Sequence, residues 1–353
     1  MKVAIVCNVK PQDAQEFEAP EEPPSLSLFR QEDFAEWDSA KTIKAVYSAL
    51  KKEYDVKVIL AQGNYYQKLI DNNIDFVFNM AEGLKGNFRE SLVPAILEEN
   101  DIPYTGSDPL TLSICLDKAR AKEILKYHKI PTPDFLIFHT PEEVKKARIK
   151  FLPAIIKPLR EGSSKGIYND NVCFEEEDLK NKSIEIIKKF GQPVIVEKFL
   201  KGREFTVAVL GNWPELEILP IVEITFSCLP EGANPIYSYE AKWVWDRPEN
   251  PLPLFKAPAE IDEKLEEKIK KIVKKTIKVL NIRDWCRADL RLDEKGIPNI
   301  LEVNPLPGII PGEEENSCFP KAAKAAGLSY EDLILKVMRI ARKRYEKSSD
   351  NLR

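Results

Sequence analysis

Trp285-Cys286-Arg287-Ala288-Asp289-Leu290-Arg291-Leu292-Asp293-Glu294-Lys295-Gly296-Ile297-Pro298-Asn299-Ile300-Leu301-Glu302-Val303-Asn304 reads as two short strands around a turn. Ala288, Leu290 and Leu292 alternate with Arg287, Asp289 and Arg291, the period-2 pattern of a sheet with one wet face. After Asp293-Glu294-Lys295-Gly296 the alternation resumes, with Glu302 and Asn304 on one face. A turn centred between Lys295 and Gly296 sets Asp289 opposite Glu302. Two carboxylates so placed repel each other unless a cation lies between them. Three hard oxygen ligands with no His or Cys beside them suit magnesium, which binds through a few carboxylates plus a phosphate. Such a hairpin is equally often a solvated face, so the rest of the chain has to decide.

Working outward, the 353 residues are 43% hydrophobic and 31% charged, a globular composition with room for two or three domains. A net charge of −4 gives no electrostatic case for nucleic acid or an anionic membrane. Six isolated cysteines without a C-x-x-C suggest neither zinc nor disulfides, and fit a reducing, cytoplasmic setting. No apolar run reaches membrane-spanning length, and the start lacks the features of a signal peptide. His128 and His139 stand without partners, which argues against a histidine-based triad.

Strands at 2–8, 56–60 and 74–79 alternate with helices, the first at 40–53, which predicts an α/β fold with a parallel sheet. No G-x-G-x-x-G follows the first strand, so a dinucleotide site is not supported. Residues 11–36 form an acidic, proline-bearing insert, expected as an irregular surface loop. Helices are expected at 89–100 and 117–128, followed by the rigid linker Ile130-Pro131-Thr132-Pro133. Strands at 154–157 and 194–197 flank a helix at 175–190, and 230–258 reads as a long loop of the kind that covers a site. Helices at 260–280 and 329–347 complete the pattern, with a frayed tail to Arg353.

Pro158-Leu159-Arg160-Glu161-Gly162-Ser163-Ser164-Lys165-Gly166 follows a strand ending in Lys157. A small-residue loop with exposed N–H groups and hydroxyls can wrap a phosphate chain, and Lys157 adds charge; alone, the loop is equally a flexible turn. The strand ending Glu197-Lys198-Phe199-Leu200 can bond an adenine edge and Glu204 can accept from ribose hydroxyls, against the alternative of a hairpin with a charged turn. Lys118 and Lys242, taken singly, are ordinary surface lysines.

These motifs, together with Ile102-Pro103-Tyr104-Thr105-Gly106-Ser107 and Glu302-Val303-Asn304 with Pro307-Gly308, resemble the ATP-grasp superfamily and, within it, the D-alanine–D-alanine ligase family, from about Phe76 to Leu333. The resemblance implies an N-terminal α/β substrate domain at 1–116, a central ATP-grasp unit at 117–211 and a C-terminal one at 212–353. By motif match, Lys118, Lys157, Ser163, Ser164 and Lys242 would contact the phosphates of ATP, Glu197, Lys198, Phe199 and Leu200 the adenine, and Glu204 the ribose. Asp289, Glu302 and Asn304 would ligate two magnesium ions, while Arg287 and the Gly308 N–H would stabilise a tetrahedral intermediate. The implied reaction joins D-alanine to D-alanine through an acyl phosphate, for peptidoglycan precursors. Its partners would be small amino acids, and a homodimer is allowed. The rivals are another amino-acid or hydroxy-acid pair, and a nucleotide-binding module without catalysis.

The chain departs from the family pattern in three places. Asn8-Val9-Lys10-Pro11 and the acidic insert replace a glycine-rich turn whose Ser and Glu meet the first substrate's ammonium. Glu36 and Glu82 are candidates for that carboxylate, each against the reading of a solvated glutamate. Trp243 stands where the family has Tyr or Phe; having no hydroxyl for Ser163, it is expected to close the loop by packing. Ser317 matches the serine for the acceptor carboxylate, beyond a longer acidic segment at 311–316.

Overall fold

Five of the six residues of β1 (Lys2–Cys7) are buried, as in a strand covered on both faces. Val3, Ile5 and Cys7 pack towards α1 (Ala40–Leu50), while Ala4 and Val6 face a second apolar cluster. β2 (Asp55–Leu60), α2 (Tyr65–Asp71) and β3 (Phe76–Met80) complete a parallel sheet of order β2-β1-β3. Next come α3 (Leu92–Glu99), α4 (Pro109–Leu116) and α5 (Lys118–Tyr127). Asp117 caps α5 by accepting from the Arg120 N–H, which fixes Lys118 in its first turn. The computed structural model describes residues 1–17, 30–247, 251–312 and 315–350. Parts of the insert, the long loop, the acidic segment and the tail therefore lie outside the described residues.

The described ends of the insert are ordered rather than irregular. Pro11–Phe17 and Gln31–Phe34 are short 3-10 helices. Phe34 and Trp37 are buried with ring centroids 4.9 Å apart, and the Trp37 indole N–H donates to the Gly83 carbonyl at 2.8 Å. Ala14 and Phe17 at one described end also pack against the core, so apolar contacts anchor both.

β4 (Phe135–Phe138), α6 (Pro141–Lys146), β5 (Ala154–Pro158), β6 (Val172–Cys173), α7 (Glu176–Phe190) and β7 (Val194–Lys198) build an antiparallel sheet of order β4-β7-β5-β6. A second antiparallel sheet, of order β11-β10-β8-β12-β13 with β9 on β8, contains β8 (Glu204–Asn212), β9 (Glu215–Ile218), β10 (Val222–Ile224), β11 (Phe255–Lys256), β12 (Trp285–Leu292) and β13 (Pro298–Asn304). α8 (Glu263–Leu280) covers one face, and α9 (Cys318–Ala325) and α10 (Tyr330–Asp350) follow. The chain passes between the two sheets at 199–203, ahead of the limit of 211 expected from the sequence. Phe205, Val207 and Val209 of β8 pack with the α8 stripe of Ile269, Val273, Ile277 and Leu280, so this strand belongs to the C-terminal core. The 230–258 stretch is not wholly loop: it holds a helical turn at Ala241–Trp245 and strand β11. Among the described residues no helix is long and apolar enough to cross a membrane.

Candidate active site

The β12–β13 register pairs Arg287 with Asn304, Ala288 with Val303 and Asp289 with Glu302, and then shifts so that Leu290 meets Ile300. Leu301 is the extra residue of a bulge. Ile300 and Val303 can thereby both join the core, while Leu301, Glu302 and Asn304 line cavities. The polar face is covered rather than wet: Asp289 is 8% and Arg291 4% exposed. Arg287 donates from Nε to Asp289 Oδ1 at 3.0 Å and from Nη2 to Oδ2 at 2.8 Å, and Asn304 Nδ2 donates to Oδ2 at 3.3 Å. Lys118 Nζ lies 3.7 Å from Glu302 Oε2. Burial opposes ionisation of Glu302, yet Lys118, Lys157 and Arg287 hold its carboxyl down to about 2. Two carboxylates and an amide converging in this way fit a hard divalent cation.

Behind this hairpin Glu197 is buried between two lysines, with Lys157 Nζ 3.0 Å from Oε2 and Lys122 Nζ 3.2 Å from Oε1. Its side chain therefore holds the lysines, whereas an adenine contact was expected of it; Lys198, Phe199 and Leu200 line the cavity beside it. Burial pushes Lys122 down to about 8; it also donates to the Leu301 carbonyl at 2.7 Å. Burial likewise works against Lys157, but Glu197 and Glu302 keep it above its ordinary value. Glu204 accepts from Arg291 Nη1 at 2.9 Å, and that guanidinium lies 4.8 Å over the Phe199 ring.

Ser163 and Ser164 both adopt left-handed φ, 50° and 59°, a conformation that costs about 1–3 kcal/mol for a non-glycine residue and concentrates at functional loops. A Cβ on Gly162 would lie 2.2 Å from Glu36 Oε1, so a side chain there would have to push the Glu36 carboxylate off Arg89. Ser164 Oγ donates to the Tyr237 carbonyl at 2.8 Å, and Lys242 Nζ reaches Ser163 Oγ at 3.4 Å. Trp243 does more than pack. Its indole N–H donates to the Ser163 backbone carbonyl at 3.1 Å, and Lys10 Nζ sits 5.0 Å over its ring. The missing hydroxyl is replaced by a different donor, aimed at the main chain. Burial, then Arg287, bring Lys242 down to about 8. Ser317 Oγ accepts from the Ile310 N–H at 3.2 Å and donates to the Gly308 carbonyl at 3.4 Å.

Two adjoining cavities collect these groups, apart from Lys122. One is lined by Lys157, Ser164, 197–200, Glu204, Asp289 and Ser317. The other is lined by Glu36, Glu82, Lys118, Trp243 and Asn304. Ser163, Lys242, Arg287, Glu302 and Gly308 face both. The family model described as D-ala D-ala ligase C-terminus matches residues 124–339. A D-alanine–D-alanine ligase of Carboxydothermus hydrogenoformans is 35% identical, over 85% of this chain and 92% of that one. The chain belongs to the D-alanine–D-alanine ligase family. The uncharacterized protein y4sG of Sinorhizobium fredii is also similar, 36% identical over 76% of this chain and 75% of its own. A crystal structure of D-alanine–D-alanine ligase from Bacillus anthracis complexed with ATP superposes with a TM-score of 0.69 at 22% identity, covering 99% of both chains. The expected ATP-grasp fold, with its parallel N-terminal sheet, is thus the fold of this ligase family member.

Three polar residues of the ligase site were not foreseen. Lys122 lies one helical turn beyond Lys118, and Arg291 two residues beyond Asp289 on the same strand face; both spacings were visible, but their partners were not. Glu90 carried no pattern at all. Of the two ammonium candidates, Glu36 already accepts twice from Arg89 Nη2, at 2.9 Å each. Glu82 has no hydrogen bond or ion pair among the described residues, and burial, with Glu90 and Glu36 nearby, pushes it well up.

Proposed function

We propose that the protein joins D-alanine to D-alanine in an ATP-dependent reaction, supplying the dipeptide of peptidoglycan precursors. The observation that carries this reading is the placement of Arg287, Asp289, Glu302 and Asn304 on one antiparallel pair, facing a lysine-lined cavity and an acidic one. The name of the Carboxydothermus relative supports the substrates, and the nucleotide of the Bacillus structure supports ATP.

A carboxylate is a poor electrophile, so the first amino acid takes the γ-phosphate of ATP and becomes an acyl phosphate. The amine of the second attacks that carbon, and phosphate leaves. Lys118, Lys157, Lys242 and the Ser163–Ser164 loop hold the phosphates; Glu204 and residues 198–200 hold the nucleoside. Magnesium, as two ions, would be held by Asp289, Glu302 and Asn304 and supplies neutralising charge. Arg287 and the Gly308 N–H donate to the oxyanion. Glu82 takes the first ammonium, because Glu36 is already committed to Arg89, and Ser317 takes the acceptor carboxylate. Replacing Trp243 by Phe keeps the ring and removes its donor, so KM for the amino acid rises about two- to tenfold; an unchanged constant would mean that packing alone holds the loop.

A second reading keeps this machinery with another amino-acid pair, and Trp243 and Glu82 at two substrate-facing positions favour it. Phosphate release with ATP, magnesium and paired D- and L-amino acids separates the two. Release with D-alanine alone supports the first. Release only with another pair replaces the substrates and leaves the chemistry; no release with any pair overturns catalysis.

A further inference from the structure

At the inner end of the acidic cavity, carboxylate oxygens of Glu36, Glu82 and Glu90 all lie within 4.8 Å of one another. Glu36 belongs to a closed set: Arg89 and Lys165 each face both Glu36 and Glu161, at 2.9 and 3.8 Å for Arg89 and 3.6 and 2.5 Å for Lys165. Glu82 and Glu90 are left over. Neither has a hydrogen bond or ion pair among the described residues, although Glu90 is only 9% exposed and both line the cavity. Arg89 acts on both carboxylates without bonding to either, so the pair keeps unmet capacity for a cation.

We propose that Glu90 acts with Glu82 as a two-carboxylate clamp for the ammonium of the first substrate, the pair sharing one proton while the clamp is empty. The arriving ammonium keeps its three hydrogens, and the carboxyl proton passes to solvent. This rests on the ligase reading above. An ammonium brings a charge and three donors, which take the place of the shared proton between the two carboxylates. The Arg89 guanidinium beside the pair repels a doubly charged cation more than a singly charged ammonium. Burial is the main force raising Glu90, to about 7, with Arg89 and Lys118 opposing and Glu36 and Glu161 adding to it. The groups facing the pair are Arg89 from its own turn, Glu36 and Asp38 from the end of the insert and just beyond it, Cys115 from α4, Lys118 from α5, and Glu161 from the serine loop. The clamp also selects an amino acid over a 2-hydroxy acid in the first position, since a hydroxyl brings no charge.

Two readouts on Glu90→Gln and Glu82→Gln test the clamp. In wild-type enzyme KM for the first D-alanine should rise as pH falls below about 7. Glu90→Gln should raise that KM at least about tenfold and flatten its pH dependence, leaving kcat and the KM for ATP within about twofold. Melting without substrate gives the second readout. An acid whose folded-state value is raised costs nothing below its unfolded value, so the cost is absent near pH 4, grows as the unfolded chain ionises, and for Glu90 is full at about pH 8. The neutral Gln variants should therefore melt above wild type at pH 8 and level with it in acid. An unchanged KM, or a Glu90→Gln protein that melts below wild type at pH 8, overturns the clamp. Wild-type enzyme inert towards D-alanine would overturn D-alanine as the substrate instead, while the substrate-free melts still judge the pair.

Discussion

Replacing Arg287 by Met is expected to lower kcat by about a hundred- to a thousandfold, with a much smaller change in the KM for ATP. Arg287 faces both cavities, which in the proposed reaction is where the acyl phosphate would meet the attacking amine. Losing one preorganised oxyanion donor accounts for a loss of that size on its own. A lysine at the same position keeps the charge but not the fork: Arg287 engages Asp289 through Nε and Nη2 together, which a single ammonium cannot copy. Arg287→Lys should therefore recover only a small part of the rate. The variant has a second consequence. Arg287 now neutralises Asp289, and its removal leaves Asp289 facing Glu302 without its own counter-charge. The concentration of magnesium needed for half-maximal rate should fall in Arg287→Met even as kcat collapses. Single-turnover phosphate release across a magnesium series measures both; a rate loss under about tenfold would place the oxyanion donors elsewhere.

The hairpin that carries this chemistry was legible because its signal is local: Asp289 faces Glu302 as the turn position requires. The bulge at Leu301 was not, since it depends on whether Ile300 and Val303 both find room in the core, a fact about α8 and β8. Pairing across long separations explains the misplacement of β8 as well. Nothing within 204–212 says that its neighbours will be Trp285 to Arg291. The insert was read as surface loop because its apolar residues follow no period, yet Phe34 and Trp37 need only one contact each to anchor it. Trp243 was misjudged through its side chain alone. The hydroxyl partner was absent, but the Ser163 carbonyl, turned by left-handed backbone, was available to an indole N–H. Glu90 was invisible because its meaning lies in what surrounds it.

Glu197→Ala should destabilise the fold by about 3–5 kcal/mol, the usual consequence of breaking a buried ion pair from one side. The Glu197 side chain is 1% exposed and its partners Lys122 and Lys157 are 2% and 9% exposed, so water is a poor replacement for the lost carboxylate. Lys122, already held down to about 8 by burial, would lose the counter-charge that keeps it protonated and fall further. Glu197→Gln keeps the shape and an acceptor and should lose less. Against burial, Lys122 and Lys157 hold the Glu197 carboxyl below its ordinary value, so its stabilisation is complete above the ordinary glutamate range and fades as pH falls through its folded-state value. The gap between wild type and Glu197→Gln in thermal or urea melts should accordingly be full at neutral pH and close in acid. Adding Lys122→Met to Glu197→Gln removes one of the two stranded ammonium groups and should restore part of the stability, although a second polar residue has been deleted. Recovery in the double variant distinguishes a charge left unpaired from a cavity left unfilled, because a packing defect would only deepen with the second substitution.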